Sequence, residues 1–167
     1  MKCVYIAAPL SAGDPAKVKA SFDAYLQLCA AVTASMPLAV LSWAGHAEAH
    51  RRGHAPLPSA QYLRRDFALI EKADEVWFAC DPFTANSVGM IAEYAVAQLT
   101  AGSRLIGVRL QSLHQPSLGV RFFPIPVWEP ANAPWLHPES ILEWAATAYT
   151  RRAAGETWMP EPTWRMP

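Results

Sequence analysis

Two carboxylates in this chain stand where a charge is costly. The stretch "NSVGMIAEYAVAQL" (86–99) reads as a helix of small and apolar residues with a single acid, Glu93. A buried charge persists only when it is paired or used. The second acid is Asp66, in "SAQYLRRDFALIEKA" (59–73), a helix whose apolar stripe is Leu63, Phe67 and Ile70. Asp66 falls three residues after Leu63 and four before Ile70, within or beside that stripe. An acid placed there is either a structural cap or ion pair, satisfied by Arg65 or a strand backbone, or a group aimed into a cleft. Two carboxylates in different environments can divide the work of attack and protonation.

The helix that carries Glu93 has a second feature. Ser87 stands at its start, where free N–H groups and the helix dipole favour an anion; Asn86 or Ser87 can cap it. Gly89, Ala92, Glu93 and Val96 form a stripe of small residues, which permits close approach of another backbone or a ligand. Ser87 and Glu93 are six residues apart, roughly 9 Å along a helix axis. A phosphate at one end and a reacting atom at the other would fit that span, although Ser87 as a plain N-cap explains the serine equally.

His46, His50 and His54 recur every four residues in "GHAEAHRRGH". The spacing suits a metal on an unbroken helix, but Gly53 weakens such a helix and the zinc-protease order of residues is missing. A solvated lid is the simpler reading, and with Arg51 and Arg52 the segment can also reach a phosphate.

These residues must be positioned by alternating strands and helices. Strands are predicted at 2–10, 37–43, 74–80 and 103–110, with a fifth within 120–128. Helices are predicted at 14–35, opened by Asp14 and Pro15, at 59–73 with Ser59 as N-cap, at 86–99 and at 138–153. On the first helix Val18, Phe22, Tyr25, Cys29 and Val32 make the apolar face; 44–58 is irregular or a short helix. The alternation predicts an α/β fold, a mostly parallel sheet of about five strands with helices on both faces, Rossmann-like and flavodoxin-like. Ligands of such sheets bind outside the carboxyl ends of the strands.

The 167 residues suit one domain, expected over 1–153, followed by a tail, 154–167, with prolines and two tryptophans. An apolar share of 52 % and a net charge of zero fit a globular chain and give no reason to expect nucleic-acid or membrane-surface binding. The odd set Cys3, Cys29 and Cys80 lacks a Cys-x-x-Cys and reads as small core residues in a reducing cytosol. Neither a leader peptide nor a membrane span is expected, so the compartment expected is the cytoplasm. "AAPLSAGD" lacks the dinucleotide glycine fingerprint, and neither a P-loop nor a Gly-x-Ser-x-Gly elbow is present.

Three segments, in order over roughly residues 2 to 110, resemble the nucleoside 2-deoxyribosyltransferase-like superfamily. "VYIAAPLSAGD" looks like its opening strand and loop, commonly Tyr-x-Ala-Gly-Pro, with Ala8 here in the glycine position. "YLRRDFALIEKADEVWFACD" resembles its middle helix and the "AD-x-V" start of the next strand. "SVGMIAEYAVA" resembles the helix that carries the family's catalytic glutamate. The resemblance implies cleavage of the N-glycosidic bond of a nucleoside or its 5'-monophosphate, by hydrolysis or base transfer. It implies Glu93 as nucleophile, Asp66 as the group that handles a proton at the base, and Tyr5 as the residue that orients Glu93. It further implies Ser87 at a 5'-phosphate or sugar hydroxyl, with Gly89, Ala7, Pro9, Asn86 and His46 lining the substrate. Serine rather than an acid at position 87 favours a phosphate. A homodimer or higher homo-oligomer, a small-molecule nucleotide or nucleoside as partner, and no cofactor or metal complete the expectation. Its rival is a non-catalytic nucleotide-binding or sensing module of the same fold.

Overall fold

Val4, Tyr5, Ile6 and Ala7 are consecutive and all buried. A strand with both faces covered is what a parallel sheet between helices requires. The computed structural model describes residues 1–8, 15–52, 59–80, 87–100, 104–109, 121–124 and 137–156. The chain runs β1 (Lys2–Ala7), α1 (Pro15–Ser35), β2 (Leu38–Leu41), α2 (Ala44–Arg51), α3 (Ser59–Ile70), β3 (Glu75–Cys80), α4 (Val88–Leu99), β4 (Arg104–Arg109), β5 (Arg121–Pro124) and α5 (Pro138–Ala153).

The architecture is α/β. β1 lies between β2 and β3 and is parallel to both, with Tyr5 beside Leu41 on one side and Val76 on the other. β4 continues the sheet parallel to β3, and β5 is antiparallel to β4, giving the order β2-β1-β3-β4-β5. The "AD" before β3 has a structural reason. Asp74 accepts a hydrogen bond from the Cys3 N–H at 2.7 Å and its own N–H donates to the Cys3 carbonyl at 2.8 Å. This reciprocal pair fixes the register in which β3 enters beside β1.

β2 is shorter than the 37–43 expected. The Tyr25 hydroxyl donates to the Ser42 hydroxyl at 3.0 Å, and that oxygen accepts from the Ala44 N–H at 3.0 Å. Trp43 turns to stack on Tyr25, ring centroids 4.2 Å apart. The serine thus leaves the ladder to start α2, an ordinary competition between side-chain capping and strand pairing. α3 ends at Ile70 rather than 73, where the Ala73 N–H bonds back to the Ile70 carbonyl and closes the turn into β3.

α3, α4 and α5 pack on one another, while α1 packs on β2. On α1 the buried face is Tyr25, Leu28 and Val32, with Phe22 and Cys29 partly buried. α4 is the most enclosed helix: Val88 and every residue from Met90 to Ala97 are buried. A helix apolar all round belongs inside a core, so both of its stripes are covered rather than one. Outside the core, Arg64 of α3 makes a two-pronged bond to Glu139 of α5, at 2.9 and 3.0 Å. No helix among the described residues is long and apolar enough to cross a membrane.

Candidate active site

Glu93 sits in the middle of the most buried helix and is 4 % exposed. Its position is set from both ends of α4. Ser87 has extended backbone (φ −85°, ψ 111°), and its hydroxyl accepts from the Met90 N–H at 3.3 Å. Thr100 closes the other end, its N–H and hydroxyl both donating to the Val96 carbonyl. The ring of Tyr94 meets Phe78 of β3 edge-on, centroids 5.4 Å apart, which keys the rotation of the helix against the sheet.

So held, Glu93 faces β1. The Tyr5 hydroxyl donates a short hydrogen bond to Glu93 Oε1. Tyr5 is fully buried, and burial with the charge of Glu93 pushes its phenol well above its usual range, so it stays a donor. Asp66, 8 % exposed on α3, is near enough that its charge raises Glu93. Burial is the larger cause for Glu93, lifting it well above the carboxylate range, and the Tyr5 hydrogen bond works the other way. Asp66 is pushed up to about 7 by burial, with Arg65 opposing. Near neutral pH two adjacent carboxyls in this setting hold a proton between them.

A fourth group comes from α5. Tyr149 is half-buried, and its phenol is raised by burial first, then by the charges of Glu93 and Asp66, with Arg152 opposing. Its hydroxyl lies 3.3 Å from where a Cβ on Gly89 would sit; Leu63 Cδ2 and Ser87 Oγ follow at 3.9 and 4.0 Å. That is the close approach which the small residue at 89 permits. β1, α3, α4 and α5 therefore converge on one place. Glu93 and Tyr5 lie at its base, and Ser87, Gly89 and Tyr149 at its partly exposed edge.

Of the expected site residues, Tyr5, Asp66 and Glu93 come together, and Ser87 and Gly89 stand on the same helix as Glu93. Ala7 is buried at the end of β1, beside Phe78. Pro9 and Asn86 lie outside the described residues, as does His54; His46 and His50 fall in α2, where their side chains are not described. Among the described residues no group of three or more His, Cys, Asp or Glu gathers as metal ligands would. Tyr149 is the residue that sequence reasoning missed. Its one signal is position: it follows Leu142 and Ala145 at three- and four-residue steps on the core face of α5, and a tyrosine there brings a hydroxyl that must be accommodated.

The Tyr5–Glu93 bond makes a test of its own. In a Tyr5→Phe variant the buried carboxylate loses its donor, so Glu93 is harder to ionise. Should the chain release base as the resemblance implies, that rate at neutral pH is expected to fall roughly tenfold to a hundredfold, as for a hydrogen bond to a charged group. The acidic limb of the pH–rate profile moves to higher pH. A profile with an unmoved acidic limb would separate Tyr5 from the ionisation of Glu93.

No protein-family model matches the chain, and neither a curated protein nor a solved structure matches it.

Proposed function

We propose that this chain is an N-glycosidase or base transferase of the nucleoside 2-deoxyribosyltransferase-like kind. On this reading it acts on a nucleoside 5'-monophosphate or nucleoside, with Glu93 as nucleophile. The observation that carries the reading is the Tyr5 hydroxyl bonded to Glu93, with the charge of Asp66 acting on the same carboxyl. The parallel strand order β2-β1-β3-β4 supports a Rossmann-like, flavodoxin-like fold, whose ligand crevice opens between β1 and β3 at the carboxyl ends of the strands. Tyr5 lies on β1 toward that end.

The reaction follows from the two acids. A Glu93 oxygen attacks carbon 1' as the bond to the base nitrogen breaks; the electron pair goes to the base, which takes a proton from Asp66. The sugar is left as an ester of Glu93. Asp66, now a carboxylate, draws a proton from water as the water oxygen attacks carbon 1', and the ester bond breaks to restore Glu93. A second base in place of water gives transfer. Burial favours the shared proton on Glu93, and the Tyr5 bond favours the charge there. The positive charge that develops at carbon 1' favours the Glu93 carboxylate further, leaving the proton on Asp66 where the base needs it. Neither half-reaction calls for a metal or a cofactor. A homodimer remains part of the same reading.

The test is a panel of ribo- and deoxyribonucleosides and their 5'-monophosphates, with free base followed by chromatography. Release of base from 5'-monophosphates in preference to nucleosides is expected, from the serine at 87. Inertness across the panel, with and without an acceptor base, overturns the reading. One observation favours the rival module: Glu93 is so enclosed that burial pushes its carboxyl toward the protonated form, and a protonated acid binds without attacking. Tight nucleotide binding with no base released would mark that outcome.

A further inference from the structure

Tyr149 has no part in the reaction just described, yet its hydroxyl lies against Gly89, on the helix surface between Ser87 and Glu93 on which a sugar would lie. Three observations bear on it. The hydroxyl sits over Gly89, 3.3 Å from the position of an absent Cβ and close to the point where Ser87 Oγ also approaches. Gly89 lies about 3 Å beyond Ser87 along the axis and about 6 Å short of Glu93, so the hydroxyl stands between the two. Finally, Tyr149, Ser87 and Gly89 are only partly buried as residues, whereas Glu93 and Tyr5 are enclosed.

We propose that Tyr149 is a substrate-binding residue of this site, whose hydroxyl donates a hydrogen bond to the sugar between its 5' end and its anomeric carbon. The inference rests on the N-glycosidic reading. The acceptor assigned is the 3'-hydroxyl, the one ring hydroxyl that ribo- and deoxyribonucleosides share. The raised phenol keeps the proton on Tyr149 across the working pH range, as a donor must. Gly89 has a defined part: a Cβ there would push the Tyr149 hydroxyl off its place by a few tenths of an ångström.

The experiment compares wild type, Tyr149→Phe, Gly89→Ala and the double variant on the 5'-monophosphate that wild type cleaves best, and on its 3'-deoxy form, with melting temperatures alongside. Tyr149→Phe is expected to lower kcat/KM about tenfold, the scale of one lost hydrogen bond, with little change in melting temperature. The same substitution should make no difference on the 3'-deoxy substrate, a pattern that a purely structural tyrosine would not produce. Gly89→Ala should lose about as much as Tyr149→Phe, and the double variant no more than either. Wild-type kcat/KM in Tyr149→Phe, or an equal loss on both substrates, overturns the assignment while leaving the glycosidase reading intact. If wild type releases no base, the same proteins are titrated calorimetrically with the 5'-monophosphates and their 3'-deoxy forms. Binding weakened by Tyr149→Phe only for the 3'-hydroxyl form then upholds Tyr149 and removes the catalytic reading; absence of binding removes both.

Discussion

Glu93→Gln is expected to abolish base release, by a factor on the order of 10⁴ or more, while raising the melting temperature at neutral pH. The first half follows from the role of nucleophile proposed for Glu93, whose removal acts on that scale. The second follows from burial. Glu93 is almost wholly enclosed, and its carboxyl is lifted well above its usual range by desolvation. A native pKa raised above the unfolded one means that the folded state holds a proton which the unfolded chain gives up. Stability from this group is full below the unfolded pKa, about 4.3 for glutamate, and falls as pH rises toward the folded pKa. Glutamine keeps the shape and still accepts the Tyr5 hydroxyl through Oε1, but has no proton to lose. The variant should therefore melt above wild type at pH 7.5, with the gap closing near pH 4. Activity and stability move in opposite directions, as they do where a site holds a group that folding alone would not choose. A structural Glu93 predicts the reverse, a less stable variant. Melting curves at the two pH values, with initial rates of base release, separate the cases.

Which parts of this arrangement were legible in the sequence depends on how local their cause is. Glu93 stood out because an acid in a run of small and apolar residues contradicts its surroundings, and Asp66 because a helical wheel puts it beside Leu63 and Ile70; both effects act within one helix. Tyr5 was different. Nothing in "KCVYIAAPL" distinguishes it from a core tyrosine, and it entered only through the resemblance; its bond to Glu93 spans 88 residues of chain. Gly89 announced that something comes close without saying what. The answer, the Tyr149 hydroxyl, arrives on a helix sixty residues later and depends on how α5 leans across α4, which no periodicity encodes. The early end of β2 has the same character. "PLAVLSW" reads as strand throughout, and only the Tyr25 partner on α1 turns Ser42 and Trp43 out of the ladder. Patterns set by one element were readable; contacts between elements were not.

The pair of acids also sets a pH dependence, and Asp66→Asn is the variant that exposes it. Asp66 is held up to about 7 in the fold, against about 3.9 in an unfolded chain. Between these values the native state binds the additional proton, so stability falls as pH rises. Over the whole interval the loss amounts to about 4 kcal/mol for this group. Among the described residues, the titratable groups that face the pair are Tyr5 from β1 and Tyr149 from α5, which stay protonated throughout, while Arg65 on α3 pulls Asp66 downward. None of them supplies a competing transition between pH 4 and 7. The difference in stability between Asp66→Asn and wild type should accordingly be near zero at pH 3, grow in favour of the variant up to about pH 7, and level off above it. On the proposed mechanism the same substitution removes the proton donor to the departing base, a loss of about 10² to 10⁴. It also removes the decline in rate that wild type should show as Asp66 ionises above about pH 7. Denaturant titrations at half-unit intervals of pH, with kcat/KM over the same range, measure both. An asparagine variant that keeps the wild-type alkaline limb would take Asp66 out of the protonation step, and a flat stability difference would show that its proton is not held by the fold.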